Sequence, residues 1–83
     1  MNLDEVAKTA KILADLEGNY KDHKEKLYSL NLYLKQLKLR RDKGRVEKKI
    51  FVLDQAIALL EPAIKAAKIN YQKALEDSAS GAV

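Results

Sequence analysis

The residues of this chain with the plainest chemistry are cations. Lys35, Lys38, Arg40, Arg41, Lys43, Arg45, Lys48 and Lys49 all fall within residues 35–49, opposed only by Asp42 and Glu47, a net charge of +6. The whole 83-residue chain carries +4, and residues 1–34 and 50–83 are each net −1. Ammonium and guanidinium groups at that density are suited to neutralising phosphates or carboxylates. The eight cations are therefore candidate polyanion-binding residues, for a nucleic acid or an acidic protein surface. A competing explanation is a solvated helix end. With a turn at Lys43-Gly44, Arg40, Arg41 and Lys43 would close a first helix, where cations complement the negative dipole end by about 0.3–1 kcal/mol each. Arg45, Lys48 and Lys49 then open a second helix, where that account does not apply. The cluster has no Gly-rich phosphate loop, helix-turn-helix pattern or zinc-finger spacing. Tyr33 and Phe51 flank it and could stack on bases, but helix packing explains both equally well.

Catalytic chemistry has little to work with. His23 is the only histidine, and there is no cysteine to act as nucleophile, staple or metal ligand. His23 also falls on an apolar seam, where a lone imidazole is usually a packed side chain. Asp22 and Glu25 neighbour it in sequence but do not share its helix face. The sequence is read as non-enzymatic, with no catalytic residue, no metal site and no cofactor.

The elements that hold these residues are helices. The chain is rich in Leu, Ala, Lys and Glu, with three glycines and one proline, a composition typical of long helices. Asn2 is a candidate N-cap, with Glu5 three residues on and Asp4 favourable at the dipole's positive end. Val6, Thr9, Leu13, Leu16, Tyr20, His23, Leu27, Leu30, Leu34 and Leu37 then follow at alternating spacings of three and four. Val46, Ile50, Leu53, Ile57, Leu60, Ile64, Ala67, Tyr71 and Ala74 form a second such string. Each is a heptad seam. The first register would continue through Arg41, Gly44 and Lys48, so the phase breaks between the strings. The break is expected at Lys43-Gly44, with glycine in the left-handed conformation that ends a helix.

The fold expected is all-α, an antiparallel, coiled-coil-like two-helix hairpin. Its first helix spans about 3–43 and its second about 45–77, kinked at Pro62. Residues 1–77 form a single domain, and the aperiodic tail 78–83 is expected to be disordered. Opposed seam residues should have numbers of constant sum. Leu37 with Val46, Leu30 with Leu53 and Leu16 with Ala67 all give 83, and the alternate layers Leu34 with Ile50, Leu27 with Ile57 and Tyr20 with Ile64 all give 84. The arms should be roughly 45–50 Å long.

The seams do not use up the apolar residues. Val52, Ala56, Leu59, Ala63 and Ala66 recur at helical spacing beside the second seam, with Phe51 near the turn. Tyr28, Leu32, Ile12, Tyr33 and Leu39 lie outside the first. Some of these would merely widen the core-facing stripe. Phe51, Val52, Ala56, Leu59, Ala63, Ala66, Tyr28 and Leu32 are nevertheless candidates for a second interface, because a lone hairpin buries little surface. A homo-oligomer or a helical protein partner would cover it, and a helical bundle is the expected outcome. The function expected is a helical interaction module, with a dimeric nucleic-acid-binding accessory protein as the alternative. The acidic start carries no export signal, and no apolar run approaches the ~20 residues of a membrane span. A cytoplasmic protein is expected, with peripheral membrane contact disfavoured.

Overall fold

The computed structural model describes residues 3–81. Among them, all but Leu37, Lys38 and Leu39 are helical, in α1 (Leu3–Gln36) and α2 (Arg40–Gly81). The helices pack against each other as a hairpin of 66 × 15 × 13 Å. At 1.5 Å per residue, α1 is about 51 Å long and α2 about 63 Å, so α2 alone spans nearly the whole molecule.

The heptad spacing explains why two helices this long stay together. Every seam position named above is buried or half-buried, on both helices. Leu30 and Leu53 line one groove, Leu16 and Ala67 a second, and Thr9 and Ala74 a third. Each of these pairs sums to 83, so one register runs the length of the hairpin. Ile57, Ala67 and Ala74 are the most enclosed apolar residues, yet no described side chain is completely buried. Two cylinders that touch along a line can shield only one side of each.

One polar residue sits inside the seam. Thr9 is 8% exposed, and its hydroxyl faces the carbonyl oxygens of Glu5 at 2.8 Å and Val6 at 3.1 Å. A buried hydroxyl without a partner would cost about 1–3 kcal/mol. Here its own preceding turn supplies the acceptor, so threonine tolerates a seam position without help from α2.

The turn differs from the sequence expectation. It lies at Leu37–Leu39 and not at Lys43-Gly44, and Gly44 is helical with no positive φ. The Leu37 amide donates to the Leu34 carbonyl at 3.2 Å, tightening the end of α1, and the Lys43 amide donates to the Leu39 carbonyl at 3.1 Å, opening α2. The physical reason is visible in the register. Beyond Leu37, α1 would bring Arg41 and Gly44 into the seam, and a helix held by tertiary packing has nothing to gain from that extension. Glycine is not demanded at position 44 by space either, since a Cβ built there meets nothing within 4 Å.

α2 runs continuously through Pro62, as the unbroken heptad phase leads one to expect, and Pro62 is exposed. A proline in a helix interior forgoes one backbone hydrogen bond, and on the solvent side water can satisfy the carbonyl left free. α2 also continues past Asp77 to Gly81, where the sequence suggested loss of order from Ser78. The helix persists because Ala74 is buried and Ser78, on the same stripe, is half-buried. Ala82 and Val83, the end of that expected tail, and Asn2, the expected N-cap, lie outside the described residues.

Candidate interaction surfaces

The hairpin has two broad flanks, and they differ in chemistry. Ile12 lines a groove with Ala63 and Ala66, and Lys26 lines another with Lys49 and Val52. These residues share one flank. Seven-residue spacing adds Asn19 and Tyr33 from α1, and Ala56 and Leu59 join from α2. The register sets Ile12 level with Asn70, Asn19 with Ala63 and Lys26 with Ala56, so no opposite charges meet across the seam there. On the other flank the same register sets Glu17 level with Lys68 and Lys24 with Glu61. Lys24 also rests its ammonium 5.5 Å from the centre of the Tyr20 ring. One flank therefore has the charge pattern of a solvent face, and the other does not.

The apolar residues of the first flank are open to solvent. Leu59 is 74% exposed, Val52 65%, Ile12 49% and Tyr33 48%, while Ala63 and Ala66 are exposed and Ala56 is half-buried. Exposed apolar residues scattered singly need no explanation, but a contiguous patch does. The sequence-derived stripe from Val52 to Ala66 thus falls on a single surface. Phe51 adjoins it at one end, where it lines a hollow with Gly44, Glu47, Lys48 and the stripe's own Val52. Tyr28 and Leu32 do not join it; they occupy other sides of α1, both exposed. Ile12 and Tyr33 are the members that belong with the stripe. Their seven-residue spacing with Asn19 and Lys26 is the signal that marks them.

Five of the eight basic residues fall into two groups. Lys38, Arg40 and Lys43 surround a hollow of ≈ 710 Å³ at the hairpin end, with Gly44 and Glu47. Lys48 and Lys49 instead join Lys26, a cation outside the 35–49 cluster, around the groove formed by Leu30, Val52 and Leu53. Lys35 is the basic residue in the last turn of α1, and Arg41 and Arg45 are exposed on α2.

The shifted turn also reverses the dipole argument. Arg40, Arg41 and Lys43 do not close α1; they open α2, at its positive end, where Asp42 is the acidic residue of the first turn. Arg45, Lys48 and Lys49 lie beyond that turn, where the dipole's influence has faded. The electrostatically costly positions are therefore Arg40, Arg41 and Lys43, the three cations of that first turn.

His23 is half-buried on the seam, and the register sets it level with Leu60. No group of three or more His, Cys, Asp or Glu side chains converges among the described residues. No helix among them is long and apolar enough to cross a membrane. The fold defines the chain as an all-α two-helix hairpin. Compared with protein-family models, with curated proteins and with solved structures, it matches none.

Proposed function

We propose that this hairpin is a non-enzymatic assembly module that self-associates through the flank bearing Val52, Ala56, Leu59, Ala63 and Ala66. The observation that carries the reading is Leu59, 74% exposed in the middle of an apolar stripe, on a hairpin none of whose described side chains is completely buried. Covering that stripe removes apolar surface from water at roughly 25 cal/mol per Å². The alanines on either side of Leu59 are small enough to admit a second helix. Sedimentation of the wild type and of Leu59→Glu tests the reading. An oligomer that Leu59→Glu reduces to a smaller species supports it, because a carboxylate in a dry interface is strongly disfavoured. A wild type that is monomeric at high micromolar concentration refutes self-association, and a partner helix then becomes the better occupant.

A second reading concerns the basic end, where the +6 of residues 35–49 includes Arg40 and Arg41 in the first turn of α2. Cations at a positive helix end cost stability, and contact with a polyanion is a reason to keep them. Binding of DNA or RNA through four to six phosphate contacts would give a slope of log K against log salt of about −3.5 to −5.5. Absence of binding at about 50 mM salt would end this reading.

A further inference from the structure

We infer that the Leu59 flank closes on the same flank of a second copy running in the opposite direction, so that the two basic ends lie at opposite ends of a four-helix assembly. This rests on the self-association reading above and adds the orientation.

The flank is close to a palindrome. On α2, Val52 and Ala66 each stand seven residues from Leu59, and Ala56 and Ala63 lie three and four residues away on its two sides. A two-fold axis through the flank near Leu59, perpendicular to the helices, lays α2 antiparallel on its copy. Leu59 then meets Leu59, Ala56 meets Ala63 and Val52 meets Ala66. The hairpin register independently fixes where that axis crosses α1. The level of α2 midway between Ala56 and Ala63 corresponds to the level midway between Asn19 and Lys26. That level is also midway between Ile12 and Tyr33, the two exposed apolar residues of α1 on this flank. The same axis therefore pairs Ile12 with Tyr33 of the copy. An isologous interface needs this kind of self-complementarity.

The other two-fold arrangement, with the axis along the hairpin, lays α1 against α2 of the copy. It sets Ile12 against Asn70 and Tyr33 against Lys49, and apolar side chains lose their apolar partners. Charge points the same way. In the antiparallel arrangement, the residues level with a basic end are 3–10 and 70–81, where Asp4, Glu5, Glu76 and Asp77 oppose only Lys8 and Lys73, a net −2. The alternative brings two +6 ends together, and repulsion between like charges that close is only partly screened at physiological salt.

A spin label on Gly44→Cys tests the orientation. The chain has no other cysteine, position 44 has room for a side chain, and it lies off the proposed interface. In the antiparallel assembly residue 44 of one copy is level with residue 74 of the other, thirty residues away along α2, so the labels should be about 45 Å apart. Dipolar distances near that value support the proposal. Labels within about 25 Å, as neighbouring helix ends at 8–10 Å interaxial spacing would give, overturn the orientation while leaving self-association standing. A monomer by sedimentation overturns both. As a second readout, Ile12→Glu should dissociate the assembly and Tyr33→Lys added to it should restore the oligomer. Failure of that rescue, with the double variant folded by circular dichroism, also counts against the antiparallel pairing.

Discussion

Thr9 and Ala74 line the same groove near the open end of the hairpin, both buried, and the threonine hydroxyl is satisfied by its own helix and not by α2. The pair shows how the seam tolerates a polar residue without forming a polar network. Thr9→Val keeps the shape and removes the hydroxyl, while the carbonyls of Glu5 and Val6 remain free to serve the helix backbone. Thermal unfolding should show a change within about 0.5 kcal/mol, or a small gain, since back-bonding to the i−4 carbonyl slightly weakens a helix. A loss above about 1.5 kcal/mol would mean the hydroxyl has a role beyond self-satisfaction.

Ile57 is 5% exposed, whereas Leu30 and Leu53 are half-buried and line one groove. Ile57→Ala should therefore cost most, about 2–4 kcal/mol, and Leu30→Ala or Leu53→Ala less, about 1–3 kcal/mol each. The Leu30 and Leu53 changes should couple in a double-mutant cycle, because they share a layer. Additive effects would place them in different layers and break the register.

Gly18 and Gly44 are both helical, neither has a positive φ, and a Cβ at either meets nothing within 4 Å. Gly18→Ala and Gly44→Ala should each stabilise the hairpin by about 0.5–1 kcal/mol, seen as a raised Tm. The Gly44 result is the sharper one. Had the chain turned there in a left-handed conformation, alanine would lower Tm.

Arg40→Glu and Arg41→Glu replace cations with anions at the positive end of α2 and should each add about 0.3–1 kcal/mol at low salt, an effect that fades as salt rises. Lys48→Glu and Lys49→Glu lie past the first turn and should change dipole energetics little. Chemical denaturation at two ionic strengths separates the two pairs. Equal effects from both would mean that the total charge of the segment, and not the helix end, sets the energy.

The fold was legible in the sequence because burial here follows one simple period. The string from Val6 to Leu37 and the string from Val46 to Ala74 mark the buried stripes, and their constant sum sets the register. The turn was not legible. Gly44 is the only glycine near the phase break and reads as a helix stop, but three residues without glycine make the connection. What decides the turn is where apolar packing ends, at Leu37, and a local propensity does not carry that information. The candidate surfaces were half legible. The stripe from Val52 to Ala66 follows from helical spacing on one element. Ile12, Tyr33 and Lys26 belong to the same flank only once the two helices are set side by side, and Tyr28 and Leu32 leave it for the same reason.

The three-residue link has a kinetic consequence. In a hairpin the shortest loops close first, because the entropy of bringing chain ends together grows with their separation. The earliest native contacts should therefore be those beside the link, Leu34 with Ile50 and Leu37 with Val46, with the seam zipping from there toward Thr9 and Ala74. Those contacts lie inside and at the edges of the segment of highest charge density, 35–49, at net +6. Mutual repulsion should raise the barrier to the first contacts while the rest of the seam is still open. Added salt, or a bound polyanion, would speed folding by relieving it. The charge concentrated at the hairpin end should thus act as a brake on its own closure.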